Sequence, residues 1–372
     1  MGKLVRLDSI ADMRAAAADW DDLWRRSDVT IPTFRAEMLA QWLEQFAPEA
    51  AFRVLVVEDH GRWVAAIPLV DRKHAGLLAA AMPSNEWASG GELLLDADTD
   101  TDGVLDELVA AIRRLPHQLL WIDEVAVDAP RWRALRRALD RAAVPVDCRR
   151  QYRVARIEID GDWEAGKRRW SRKHRQQMAA SSRKLAAEGE VRCQILSELT
   201  PVQVEPCLRR AFELEDRGWK GKAGSSVLKT PGLFDFFLRQ ALQLAQWEQL
   251  ELCLLELDEQ PIAFAYGFNA KQVFHSVKVG YDPRFAVYRP GQLLRYAMLE
   301  RFYGESDRRA LDCMGPLTEA HASWKPASYT IGRLAIAPRR LTGRLAVFAL
   351  RHWLPLVRRR GVEACSAEAI RD

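Results

Sequence analysis

Tyr281–Leu294 reads YDPRFAVYRPGQLL. It follows an apolar run, Gln272–Gly280, with the look of a buried strand, and it opens a helical pattern that continues to about Tyr303. Pro290-Gly291 lets the backbone turn sharply, so the amides of Gln292, Leu293 and Leu294 are expected to point out of the helix start. Such a terminus carries roughly half a positive charge and free N–H donors, which suits a pyrophosphate. Arg289 adds a cation at its mouth. Pro-Gly is also the punctuation of an ordinary strand–helix turn. The order of elements around it favours the anion site.

Upstream of this stretch lie three consecutive strands, Leu250–Leu257, Pro261–Phe268 and Gln272–Gly280, joined at Asp258-Glu259-Gln260 and Asn269-Ala270-Lys271. Before them come a long basic helix, Lys167–Glu188, a strand, Glu190–Leu196, a helix, Pro201–Arg217, a loop, Gly218–Ser226, and a helix, Pro231–Trp247. Downstream are short strands at Ala310–Cys313 and Tyr329–Ala337 and a helix at Leu341–Arg359. The first half repeats this order, with strands at Ala51–Glu58, Arg62–Val70 and Leu77–Met82, a loop at Pro83–Gly91, a helix at Thr101–Leu115 and a strand at Leu119–Val125. Its closing strands are Val144–Cys148 and Tyr152–Ile159. Two copies of β-α-α-β-β-β-loop-α-β predict an α/β protein built as a tandem duplication, with mixed central sheets flanked by helices and a boundary near residue 160: domains 1–160 and 161–372. A plain α/β fold without duplication is the alternative.

Composition agrees with two globular domains. The chain has 372 residues, 48% hydrophobic and 28% charged, and one hydrophobic core stops growing at roughly 250–300 residues. A formal net charge of +4 is too small to imply nucleic acid, and DNA is not an expected partner. Cys148, Cys193, Cys207, Cys253, Cys313 and Cys365 show no C-x-x-C spacing and no neighbouring His pair, so neither a disulfide framework nor a metal site is expected. The start, MGKLVRLDS, lacks the apolar core of a signal peptide. No apolar run approaches the ~20 residues that span a bilayer. A cytoplasmic location is expected, with membrane association only through a partner.

Several stretches together resemble the CelD/BcsL-type acyltransferases of the GNAT superfamily, themselves relatives of the two-domain Fem-type transferases. They are the strand Phe274–Tyr281 with its YDPRF…PGQLL loop, and Asp312 on the next strand. To these add Trp170-Ser171-Arg172-Lys173-His174-Arg175, Glu215-Asp216-Arg217-Gly218-Trp219-Lys220-Gly221 and Pro261-Ile262-Ala263-Phe264. The resemblance is specific over about 160–330. It implies tandem GNAT-like domains, with acyl-CoA, most simply acetyl-CoA, lying across the splayed strands of the second half and no cofactor in the first. Its pantetheine would pair with Gln272–Gly280, which carries Lys278, and its pyrophosphate would sit on Arg289, Gly291, Gln292, Leu293 and Leu294. It implies transfer to an amine or hydroxyl of a saccharide or of a lipid-linked cell-envelope or exopolysaccharide precursor. Fem-like aminoacyl transfer from tRNA and a non-catalytic GNAT-like module are the alternatives. The loop is poorer in Gly and basic residues than the usual GNAT phosphate loop.

Direct transfer needs a base for the incoming nucleophile and an acid for the leaving thiolate. Asp312, at the end of a short strand beside the donor strand, is the first candidate for base or substrate anchor, and His275 the second. Their plain readings are a turn-capping carboxylate and a core histidine. Cys313 reads as a buried thiol. Trp219 and Lys220 would face the acceptor, with His321, Trp324 and Lys325 as further acceptor-side candidates. The commoner role of such a tryptophan is to hold its loop to the core. Between Lys167 and Lys184 there are eight Lys or Arg and no acid. Arg172, Lys173 and Arg175 are therefore expected to bind an anionic ligand rather than only to form a solvated face.

Overall fold

The structure, a computed structural model, describes residues 3–305, 308–339 and 341–352. The end of the expected last helix, 353–359, and Cys365 lie outside them. In chain order the first elements are β1 (Lys3–Leu7), α1 (Ile10–Ala15), α2 (Ala17–Arg26), α3 (Ala36–Phe46), β2 (Phe52–Asp59), β3 (Arg62–His74), β4 (Leu77–Ala81) and β5 (Leu94–Leu95). Then come α4 (Thr101–Arg113), β6 (Leu119–Val125), α5 (Pro130–Arg141), β7 (Val146–Glu158), α6 (Trp163–Arg168), α7 (Arg172–Ala186) and β8 (Val191–Leu196). The remainder is α8 (Pro201–Arg217), α9 (Trp219–Lys222), α10 (Leu233–Gln246), β9 (Leu250–Leu257), β10 (Gln260–Ala270), β11 (Val273–Tyr281), α11 (Pro290–Tyr303), β12 (Ala310–Pro316), α12 (Glu319–Ala322), β13 (Ala327–Ile336) and α13 (Leu341–His352).

The chain forms two compact units that are not the contiguous stretches 1–160 and 161–372. The first is Met1–Val29 with Thr33–Tyr152 and Thr330–Asp372; the second is Thr30–Pro32 with Arg153–Tyr329. The reason lies in the closing strands. Residues 154–158 of β7 pair with β12 in the second unit, and residues 332–336 of β13 pair with β6 in the first. Each unit thus takes its last strand from the other half of the sequence. The expected break between Val144–Cys148 and Tyr152–Ile159 is absent: Arg149-Arg150-Gln151 holds no turn former, and the strand runs through.

The first unit orders its strands β1-β2-β3-β4-β6-β13, and the second β8-β9-β10-β11-β12-β7. Position by position the two orders match, and in each the fourth and fifth strands are the parallel pair. This is a mixed α/β fold made twice. Local chemistry explains the hairpins. Asp258-Glu259 and Lys271-Gln272 all take positive φ, the twist that a two-residue turn between antiparallel strands requires. Each sheet buries its own core. α4 contributes Leu105, Leu108 and Ile112 at helical spacing to the first; α11 contributes Leu294, Met298 and Phe302 to the second, against Phe274 and Leu311.

The long basic helix is two helices. Ser171 caps α7 by accepting the His174 amide at 3.1 Å, and Asp162 caps α6 by accepting that of Ala165 at 2.6 Å. An N-cap residue has non-helical backbone angles, so a cap at Ser171 ends the preceding helix. Arg168 is therefore not on one face with Arg172 and Arg175.

Candidate active site in the second unit

β11 and β12 pair only at Val273–His275 with Ala310–Asp312. Beyond that register they part, and β11 runs on alone on that side to Tyr281. A bulge helps the parting. The β10–β11 register slips between Tyr266 and Gly267 and leaves Val277 as the extra residue. Gly267 is required there, because a Cβ would lie 2.2 Å from the His275 carbonyl oxygen.

A cavity of about 710 Å³ opens where the strands part. Ser276, Val279, Gly280 and Tyr281 of β11 line one side, and Gly291, Gln292, Leu294, Arg295 and Met298 of α11 line another. Glu215, Gly218, Trp219, Lys220 and Lys222 from the α8–α9 corner, and His321 of α12, complete it. The volume falls in the range of small-molecule sites, roughly 300–1,000 Å³.

The start of α11 has no acid in its first turn, and Arg289 precedes it in the left-handed conformation with φ 57°. Pro290 has no N–H to leave unpaired. The amides of Gln292 and Leu293 both donate to the Arg289 carbonyl, at 2.9 and 3.1 Å, so the expectation of three outward-pointing amides is corrected. Gly291 lines the cavity. A Cβ on Gly291 would meet nothing nearer than Tyr281 at 3.9 Å. What remains for an anion is the helix terminus, the Gly291 backbone and the cations Arg289, Arg295 and Lys222 around the cavity. These residues fit a phosphate-bearing donor.

Glu215 was not singled out by the sequence as a chemical group. It is 4% exposed, and it is the one carboxylate among the cavity-lining residues. Its oxygens accept from Lys220 Nζ at 2.6 Å and from the Val227 amide at 2.9 Å. Gly221, two residues beyond Trp219, sits so close to the Asp216 carbonyl that a Cβ would lie 1.7 Å from it; the corner closes only with glycine. The signal lies in the motif Glu215–Gly221, where the glycine-closed corner brings the Glu215 carboxylate beside Lys220. Trp219 is 72% exposed on the cavity rim, so it does not pin its loop to the core.

His321 accepts the Thr318 amide at Nδ1, 3.3 Å away. A backbone N–H can only donate, so the neutral ring carries its proton on Nε2. Burial and then Arg295 push its pKa down, opposed by the Pro316 backbone.

Among the expected site residues, the cavity gathers Arg289, Gly291, Gln292, Leu294, Trp219 and Lys220. It also gathers the acceptor-side candidate His321, while Asp312, His275, Lys278, Leu293, Trp324, Lys325, Arg172, Lys173 and Arg175 do not line it. Asp312 is 4% exposed and accepts from the Met314 amide at 2.9 Å and the Tyr329 hydroxyl at 3.2 Å. Met314 has φ 56°, so Asp312 caps a left-handed kink at the end of β12. Desolvation raises its pKa, and its two hydrogen bonds oppose the rise. His275 is 1% exposed, and no hydrogen bond of ordinary geometry reaches either ring nitrogen. Burial drives its pKa down to about 3, with Arg156 adding to the shift and the Thr30 backbone opposing it. Both plain readings, cap and core histidine, describe the geometry. Lys278 is buried over the Phe237 ring at 5.2 Å, and its pKa falls to about 8, through burial first and Lys220 second.

Trp324 is a core residue packed on Trp170 and His174. Its Nε1–H donates to Gln292 Oε1 at 2.6 Å. Lys325 lies beside it outside the cavity, and Leu293 faces the opposite side of α11. Arg172 and Lys173 are exposed on α7. Arg175 donates to the carbonyls of Lys167 and Trp170. Cys313 is buried, with its pKa raised by burial, as a structural thiol should be. Among the described residues no cluster could hold a metal ion, and no helix is long and apolar enough to cross a membrane.

Comparison with known proteins agrees with this topology. No curated protein matches the chain in sequence. Among solved structures, FemX superposes with a TM-score of 0.59 at 10% identity, over 90% of this chain and 96% of FemX. A conserved protein of unknown function from Bacteroides thetaiotaomicron VPI-5482 superposes with a TM-score of 0.56 at 14% identity, over 91% of this chain and 100% of that one. L-PGS from Bacillus licheniformis gives 0.51 at 13% identity, over 90% and 97%. At these identities the likeness shows a shared fold. Residues 172–325 match the family model described as Acetyltransferase (GNAT) domain, so the second unit carries a GNAT-type acetyltransferase domain.

Proposed function

We propose that this chain transfers an acyl group, most simply acetyl, from acyl-CoA to an amine or hydroxyl of a saccharide or cell-envelope precursor. One observation carries the reading: the cavity at the parting of β11 and β12 ends on the acid-free, cation-flanked start of α11. A thioester donor with a pyrophosphate has its anion met there and its acyl end directed between the strands. The first unit holds no donor in this account. The sequence resemblance to CelD/BcsL-type enzymes supports the saccharide acceptor.

The step is a direct displacement. The nucleophile attacks the thioester carbonyl; a new C–N or C–O bond forms and the C–S bond breaks. Glu215 takes the nucleophile's proton; the Nε2–H of the neutral His321 ring donates a hydrogen bond to the leaving thiolate, which takes its proton from solvent. Trp219 stacks on the acceptor. The role of base passes in this reading from Asp312 to Glu215, because Glu215 lines the cavity and Asp312 does not.

Isothermal titration with acetyl-CoA tests the reading before any acceptor is identified. One site per chain, lost in Gly291→Asp, is the expected result; no binding by the folded protein would refute it. A second reading, Fem-like aminoacyl transfer from tRNA, is favoured by the exposed cations Arg172, Lys173, Arg183 and Lys184 on α7. It requires tRNA to bind with a steep salt dependence and acetyl-CoA not to bind.

A further inference from the structure

The opposite face of α11 borders a second cavity, of about 720 Å³, entirely within the second unit. α11 is the wall between the two. Gln292, Leu294, Arg295 and Met298 face the donor cavity, while Leu293, Tyr296, Ala297 and Glu300 face this one. The latter four are spaced three, four and seven apart, one stripe of a helix. α7 answers with its own stripe: Arg175, Met178, Ala179, Ser182 and Arg183. Val191 and Cys193 of β8 and Leu255 of β9 form the floor, and Trp170 closes the end near α6.

The lining divides by chemistry. The floor is apolar. The rim holds four cations, Lys167, Arg168, Arg175 and Arg183, against two carboxylates, Glu164 and Glu300. Glu164 is occupied by Lys167 at 2.5 Å. Arg168 and Arg183 are exposed and form no ion pair among the described residues. A slot with an apolar floor and a basic rim is matched by a molecule with an aliphatic chain and an anionic head. A free inorganic anion would leave the floor wet, and a neutral chain would leave the rim unanswered.

We propose that this cavity is a second ligand site, which takes a single aliphatic chain ending in a phosphate or carboxylate, separate from the donor site across α11. Neither the donor nor the acceptor of the proposed reaction occupies it, so it stands or falls independently of that reaction. The ligand's chain lies between α7 and α11 on Leu293, Met178 and Leu255. Its head meets the basic rim at Arg183.

The test is isothermal titration of the full chain with dodecyl phosphate below its micelle concentration, in saturating coenzyme A. One site is expected. Binding should be at least about tenfold tighter than for octyl phosphate, since each buried methylene is worth roughly fourfold in affinity. It should also be at least about tenfold tighter than for dodecyl maltoside, which lacks the charge. Ala179→Trp and Ala297→Trp fill the slot from its two helices and should each weaken binding about tenfold or more. Arg183→Gln should weaken it and flatten its salt dependence. Melting curves check that each variant is folded, and either tryptophan variant alone suffices. Equal affinity for octyl and dodecyl phosphate would overturn the proposal, as would displacement by coenzyme A or indifference to both tryptophans. Binding only to vesicles of phosphatidylglycerol, with none to monomeric dodecyl phosphate, would also overturn it and assign the basic rim to a membrane surface.

Discussion

The two units share a strand order but differ where the fourth and fifth strands part. In the second unit the helix after that point begins Arg289-Pro290-Gly291, with no acid in its first turn. In the first unit the corresponding helix, α4, follows Asp96-Ala97-Asp98-Thr99-Asp100 and is capped by Asp100, which accepts the Asp102 amide. Carboxylates there already occupy the helix terminus that an anion would use, and they repel a second negative charge. The preceding segment is also folded inward. Trp42 Nε1 donates to the Ala88 carbonyl at 2.9 Å, and a Cβ on Gly90 would strike the Trp42 ring at 2.7 Å. The two units share a strand order; in the proposed function, the chemistry of one helix start separates a donor site from a copy without one.

The largest effect should come from the catalytic corner. Glu215→Gln keeps the shape but cannot take a proton, so kcat is expected to fall by ~10²–10⁴ while Kd for acetyl-CoA stays within about twofold. Thiol release and titration read the two quantities. A drop in kcat of less than about tenfold would move the base elsewhere in the cavity.

Making the second unit's helix start resemble the first comes next. Gly291→Asp has room for its side chain and places a carboxylate where the phosphate should lie. Donor affinity should fall on the order of a hundredfold, about 3 kcal/mol. Asp100→Asn in the first unit should leave it unchanged. Equal losses from both changes would erase the distinction between the units.

Acid should act through His275. Its pKa is about 3 in the folded protein, below the ordinary 6.5. The unfolded chain therefore binds the extra proton first. Stability conferred by the neutral ring is present above pH 6.5 and is lost as pH falls toward 3, by about 1.4 kcal/mol per pH unit from this group. His275→Leu should flatten the acid limb of a melting-temperature profile; an unchanged limb would assign acid sensitivity to other groups. Lys278 works with the same sign at higher pH. Its pKa of about 8 lies below 10.5, so its cost is full below 8 and fades as pH rises to 10.5. Lys278→Met should be more stable at pH 7, and the gain should shrink across that window.

The smallest effect is expected at Asp312. Asp312→Asn can still accept the Met314 amide, so melting should shift modestly and kcat by less than about tenfold. A larger kcat loss in a folded variant would restore Asp312 as the base.

Much of the fold was legible in the sequence because hairpin turns and apolar periodicity are local. The three-strand run ending in Gln272–Gly280 and the repeat of its order in the first half needed no long-range information. The exchange of β7 and β13 between units was not legible, since a strand's own residues do not say which sheet it joins. The break at Ser171 was local but hidden by the charge run around it. Arg289, Gly291 and Trp219, which line the cavity, are legible because special residues mark special backbone. That Asp312 and His275 lie off the cavity is not legible, because alternation along a strand gives the face, not the depth at which strands part. Glu215 looked like one acid among several on a helix; only the packing of α8 against the α9 corner buries it beside Lys220.

Amide hydrogen exchange with and without acetyl-CoA tests the central claim most directly, because it reports on both units in one sample. The account predicts slowed exchange in peptides covering 276–298 and no change in those covering 77–113. Protection of 77–113, alone or to the same degree, would contradict it.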